Sequence, residues 1–376
     1  VITDRTSHAE ARHDGQPSIA PYPAQSRPDP VTRAFVFLTE RAVSLHAAAL
    51  LRIGYGLLYL TFLLREFPHR DEIWGPDSPW TPDLARELSH QNGWFSLLTL
   101  SDDRAYFEAC YILALLTSTV FMLGWHTRVA SVLFALVVTS FHGRAVFMTD
   151  GGDNLIVLMA IYLTFTACGR RWSLDALRRR LRESAPGRPG PESTDPRSGP
   201  SWQQAKMLRS QLTALVHNCG MFVIAAQVCI LYGAAGLYKV QGGMWRDGTA
   251  LHYVLNLDLF QPWPTLSHLA DAHDLLIAIA GYVTVLVQVA FPFALFSRLK
   301  YVLLGLLIGM HAGIAVLLGL PVFSGAMIVA DAVFLPDHAL LRFACVGRRA
   351  IQRHLTARER RDLPRPRTVT EPPRTP

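Results

Sequence analysis

The sequence predicts an all-α fold: a polytopic membrane helix bundle of about eight transmembrane helices, with the N- and C-termini cytoplasmic. Three observations lead there. Half of the 376 residues are hydrophobic and only 17% are charged, against about 25% charged in an ordinary soluble domain. The apolar residues fall in long blocks, and about 20 in a row suffice to cross the hydrocarbon core. The connections between blocks then alternate in charge. The same numbers exclude two other classes. The chain is too apolar to be disordered, and five cysteines are too few for a disulfide scaffold.

The elements follow in order. Residues 1–43 are polar and proline-containing, lack the apolar run of a signal peptide, and predict a disordered cytoplasmic tail. The membrane domain occupies 44–341. Its spans are placed at 45–64, 106–125, 129–148, 154–168, 212–237, 275–296, 301–320 and 322–341. The fourth is short, and the eighth contains Asp331, Pro336 and Asp337. The outer loop 68–104 carries Trp74, Trp80 and Trp94, as suits the interfacial belt. A cytoplasmic linker, 169–210, interrupts the domain. Within it SLDALRRRLR (173–182) reads as a basic amphipathic helix capped by Ser173, and 183–201 as a flexible Pro/Gly/Ser stretch. Residues 342–376 form a basic cytoplasmic tail.

Charge sets the orientation. Ten Lys/Arg face four acids in 169–210, and ten Arg face three acids in 342–376. The alternate connections are acidic: seven acids against three Arg in 68–104, and four Asp against two bases in 239–274. The positive-inside rule places the basic side in the cytoplasm. The expected partner is the lipid bilayer of a bacterial plasma membrane; the net charge of +7 follows this asymmetry and implies no nucleic acid.

Polar groups at membrane depth are expensive and mark function by default. Arg52 lies inside the first span, as a buried ion pair, a snorkelling side chain or a functional charge. His46, His142, His217 and His311 lie in or near spans, and no spacing pairs any two as haem ligands. Asp331 needs a partner, with Arg52 and His311 as candidates. Lys239 ends the fifth span in GAAGLYKVQGGMW. The chain has 33 Arg and only three Lys, so a lysine hints that an amine is needed. It reads either as an interfacial lysine or as an amine that desolvation turns into a usable base. Asp150 and Asp153 flank Gly-Gly, with Asp153 read first as an N-cap. No metal-binding spacing is present, nor a P-loop, GxSxG or Rossmann fingerprint.

Taken in order, ALLRIGYGLLYL, WGPDSPW, FMLGWHTRVASVLFAL, NLIVLMAIYLTF, RRWSLDAL, GAAGLYKVQGGMWRDGTALHYVLNLDLF and MHAGIAVLLGLPVFSGAMI resemble the HTTM family. This is the membrane domain of vitamin K-dependent gamma-glutamyl carboxylase and its bacterial relatives. The resemblance covers about 45–340. It implies Lys239 as base toward a reduced quinone, menaquinol or vitamin K-like, with His311 orienting a quinol oxygen. It further implies Arg52, Asp153, Trp245 and Ser324 as supporting residues. Gly152 stands where the carboxylase has a histidine, and the chain stops about 35 residues after its last span. That brevity resembles the stand-alone SdpB-type branch, which acts with a small membrane partner to mature a secreted toxin peptide.

Four functions follow from these readings. Maturation or modification of a secreted peptide and quinol-dependent chemistry at Lys239 are compatible and lead jointly. A non-catalytic membrane subunit or immunity-type protein is third. A transporter is last, since no repeat or broken-helix pair supports it.

Overall fold

The computed structural model describes residues 36–185 and 200–342, with Asp29, residues 344–346, Arg349 and Gln352 besides. Residues 1–37 and 38–376 form two compact units, and the description concerns the second. Its described residues form helices, 3-10 turns and loops, with no strand among them. Five helical segments are long and apolar enough to cross a membrane, as fits an integral, multi-pass protein.

The helices are α1 (Leu45–Glu66), α2 (Arg70–Trp74), α3 (Pro82–Asn92), α4 (Arg104–Leu123), α5 (Thr127–Arg144), α6 (Gly151–Thr164) and α7 (Leu174–Glu183). Then come α8 (Pro200–Gln241), α9 (Gly243–Arg246), α10 (Ala250–Leu255), α11 (Pro264–Ala270), α12 (Asp274–Ala294), α13 (Leu299–Leu317) and α14 (Pro321–Asp331). Starts are set by local chemistry. The Asp103 carboxylate accepts from the Tyr106 N–H (3.3 Å) at the start of α4, and the Ser173 hydroxyl from the Ala176 N–H (2.9 Å) at the start of α7.

Helices α1, α4, α5 and α6 pack in sequence; α8, α12 and α13 do likewise, and α14 lies between the groups against α1, α6 and α13. Small residues allow the closest approaches. A side chain at Gly56 would meet the Met122 backbone of α4 at 2.9 Å, and one at Gly236 the Val289 backbone of α12 at 3.0 Å. The Tyr55 hydroxyl donates to the Ala326 carbonyl (2.8 Å) and ties α1 to α14.

Several boundaries differ from the sequence-based placement. The composition predicts a loose tail through residue 43, yet residues 38–43 are held down. Asn218 donates to the Leu38 and Arg41 carbonyls (2.8 and 2.9 Å) and accepts from the Val43 N–H (3.0 Å). The linker stretch 200–211 is helix, continuous with the fifth span in one 42-residue α8, about 63 Å long. The rest of the flexible stretch, 186–199, lies outside the described residues, as does most of 342–376. The fourth span starts at Gly151, and its N-cap is Asp150, with Asp153 at N3 of a reciprocal capping box. The eighth is not one helix. It runs as α14, then a 3-10 turn at Ala332–Phe334, and Leu335 turns extended (φ −83°, ψ 130°). Pro336 forces this, because it disfavours a helical residue before it.

Candidate functional site

The six residues singled out in the sequence fall into three places. Lys239 and Trp245 meet at the C-terminal end of α8, and His311 lies against Tyr232 two turns back on the same helix. Lys239 is in the last turn of α8, and the Gly242 bend that opens α9 brings Trp245 back. The ammonium lies 5.3 Å from the Trp245 ring centroid, an attractive arrangement. Its hydrogen bond is to the Ala235 carbonyl of its own helix (3.4 Å), and no carboxylate pairs with it among the described residues. Tyr232, seven residues before Lys239 on α8, packs against the His311 ring of α13 (6.0 Å).

His311 is 2% exposed, between the rings of Tyr232 (6.0 Å) and Phe323 (5.7 Å). Neither ring nitrogen has a hydrogen-bond partner among the described residues. The next residue after Phe323 is Ser324, fully buried, and its hydroxyl is likewise unpartnered. Gln288 of α12 adds an unpartnered carbonyl oxygen. Buried polar groups are paired in the great majority of cases, so this concentration on α12–α14 is unusual. It can accept and donate hydrogen bonds to a molecule with an apolar body and polar oxygens.

Asp153 sits across the first turn of α14 from that group. It lines a cavity of about 240 Å³ with Tyr59, Arg65, Trp74, His142 and Asp150, and Val322 forms part of the wall. The Tyr59 hydroxyl and the His142 Nδ1 have no hydrogen-bond partner among the described residues. Asp153 itself accepts from the Asp150 N–H (2.9 Å), so its first role is the cap. The two places touch through Phe323. A side chain at Gly152 would lie 2.6 Å from the Phe323 Cα, and Phe323 also contacts His311. Gly152 therefore has no room for a side chain here.

Arg52 is elsewhere. It is fully buried thirteen residues before Arg65 on α1, a separation of about 20 Å along the axis. It donates to the Trp172 carbonyl (2.5 Å), while Nε and Nη1 have no partner among the described residues. Gly124, in the left-handed region at φ 71°, presses against its guanidinium.

Other polar residues that the sequence flags have partners. Asp331 pairs with neither Arg52 nor His311: both its oxygens accept the Tyr232 hydroxyl (3.0 and 3.1 Å). The His217 Nδ1 accepts from the Ala167 N–H (3.0 Å) and Nε2 meets the Val43 carbonyl (2.7 Å), as a neutral ring protonated on Nε2 allows. His46 Nδ1 lies 3.1 Å from the Asp337 carboxylate. Arg144, which the sequence does not flag, is 1% exposed. It holds the Gly75 and Trp80 carbonyls (2.8 Å each) and the Ser78 hydroxyl (3.0 Å), fixing the segment beside Trp74 and the cavity. Tyr59 and His142 were equally silent in the sequence as a pair. Each sits in an apolar helix, and only packing brings them to one wall.

No protein-family profile, no curated protein and no solved structure matches the chain.

Proposed function

We propose that the chain is an eight-span protein of a bacterial plasma membrane, related to the HTTM family, that matures or modifies a secreted peptide with Lys239 and His311 as its reactive pair. Five long apolar helices, the two shorter apolar helices α6 and α14, and α5 supply eight segments. The alternation of basic and acidic connections supports cytoplasmic termini and a reactive site at the outer face.

One observation carries the reading: His311 is buried with neither nitrogen paired among the described residues, against Tyr232 of the helix that ends on Lys239, a lysine with no carboxylate partner among those residues. The reduced quinone that the resemblance implies fits these groups. The orphaned His311 nitrogens and Ser324 hydroxyl match quinol oxygens, and the apolar helix faces match a ring and tail. When bound, a quinol supplies reducing power once its hydroxyl is deprotonated. Lys239 Nζ, as the neutral amine, would accept that proton, and Trp245 would stabilise the ammonium so formed. His311 and Ser324 orient the oxygens. A small membrane-associated partner protein presents the peptide.

The test has two arms. A deletion strain should make the peptide without activity, and neither Lys239→Ala nor Lys239→Arg should restore it, because Arg does not give up its proton. Purified protein in lipid, given reduced menaquinone and oxygen, should form epoxide only with Lys239 present. Full peptide activity with Lys239→Arg sinks the catalytic role.

A further inference from the structure

A second polar site lies at the Arg52 end of the bundle. There α5, the turn at 166–170, α7 and the early turns of α8 enclose an open cavity of about 410 Å³. Five cations line it: Arg128, Arg170, Arg179, Lys206 and Arg209. One carboxylate, Asp175, also lines it, but its oxygens are already engaged. Oδ1 accepts the His126 N–H (3.0 Å), and Oδ2 accepts the N–H and hydroxyl of Thr127 (2.8 and 2.7 Å). It caps α5 and leaves the cations largely uncompensated. None of the five makes an ion pair with a carboxylate among the described residues.

The crowding has a visible consequence. Burial, and after it the charges of Arg179 and Arg128, hold Arg170 below its ordinary range. The positive-inside rule accounts for the sign of this charge, and its convergence on one recess gives that recess a positive potential suited to an anion. Four of the five are arginines, whose planar fork matches phosphate oxygens. The neighbouring α7 exposes Leu177 and Leu181 on an otherwise arginine-rich helix, the pattern of a segment lying in the headgroup plane.

We propose that this recess is a binding site for a phosphate-bearing anion, with Arg128, Arg170, Arg179, Lys206 and Arg209 supplying the positive charge. The chemistry is common to an anionic lipid headgroup and to a soluble phosphate. The experiment separates these sources. The purified full chain is placed in phosphatidylcholine nanodiscs with and without phosphatidylglycerol, and bound lipid is counted by native mass spectrometry. Inorganic phosphate is titrated in parallel in neutral detergent, with melting temperature as readout.

The variants are Arg128→Gln/Arg209→Gln in the recess and Arg180→Gln/Arg182→Gln off it, which change net charge equally. Near a membrane surface each cation contributes about 5-fold, so the recess double should lose about 30-fold in phosphatidylglycerol affinity. The off-recess double, whose arginines do not line the recess, should lose clearly less. Lys206→Gln, at an exposed helical position, should lose about 5-fold without touching the fold. Loss confined to phosphatidylglycerol identifies a headgroup, and loss confined to inorganic phosphate identifies a soluble ligand. Equal loss in both doubles, or loss in neither, overturns the site.

Discussion

Two adjacent glycines make opposite predictions. A Cβ at Gly152 lies 2.6 Å from the Phe323 Cα and 3.2 Å from its Cβ. A Cβ at Gly151 lies 3.6 Å from the edge of the Phe323 ring, an ordinary contact. Neither glycine has positive φ, so alanine suits both backbones. Gly152→Ala must push the first turn of α14 away by about 1 Å to restore van der Waals distance, and overpacking of this kind costs about 1–3 kcal/mol. Gly151→Ala meets no obstacle and gains about 0.4–1 kcal/mol by restricting the unfolded chain. Thermal unfolding in one detergent should separate the two variants by roughly 1.5–4 kcal/mol. The displaced Phe323 contacts His311, so under the proposed function Gly152→Ala should also lower peptide maturation while Gly151→Ala preserves it. Equal melting of the two variants would refute the reasoning, because it would mean that α6 and α14 are not locked together at Phe323.

Other outcomes follow from single contacts. Arg144→Ala strips three hydrogen bonds from residues 75–80 and should cost about 3–5 kcal/mol, with hydrogen exchange accelerating most in that segment. Tyr232→Phe leaves the buried Asp331 unpaired and should cost about 1–3 kcal/mol, most of which Tyr232→Phe/Asp331→Leu recovers. Ser324→Ala removes an unpartnered hydroxyl, so it should raise the melting temperature while lowering activity; a lower melting temperature would show that the hydroxyl has a partner. The Asp175 carboxyl feels burial most, which raises it, but the hydrogen bonds from Thr127 and His126 together bring it below its ordinary value of 3.8. A depressed carboxylate adds stability above its unfolded pKa and loses it as pH falls through the folded one. The wild type should therefore destabilise on acidification below about pH 4, and Asp175→Asn should melt lower at neutral pH with a flatter acid slope.

Helix positions were legible in the sequence because periodicity is not needed when whole segments are apolar. Leu45–Glu66, Arg104–Leu123, Asp274–Ala294 and Leu299–Leu317 lie within a few residues of the spans placed at 45–64, 106–125, 275–296 and 301–320. Ends were less legible where long-range contacts decide them. Residues 38–43 read as loose chain, and Asn218 and His217, 174–180 positions away, hold them. At the fourth span both Asp150 and Asp153 are competent caps, and the choice depends on where the preceding 3-10 turn delivers the chain. Within the candidate site, Lys239 and Trp245 are neighbours in sequence and could be seen together. Arg52 carried the same signal of a charge in a span, yet its surroundings belong to the other end of α1.

The histidines show why residue type and depth do not suffice. His217 and His311 both sit in helices read as spans, and both are at most 2% exposed. His217 is held between a carbonyl and an N–H that arrive from two distant segments, so its ring is a clamp. His311 meets aromatic faces, which exclude water without offering a hydrogen bond. A buried ring left in that condition costs stability, and the cost is recovered only when something with a donor or acceptor arrives. Satisfied groups in this bundle therefore mark where it is fastened. The unsatisfied ones on α12–α14 are the groups on which the proposed ligand site rests.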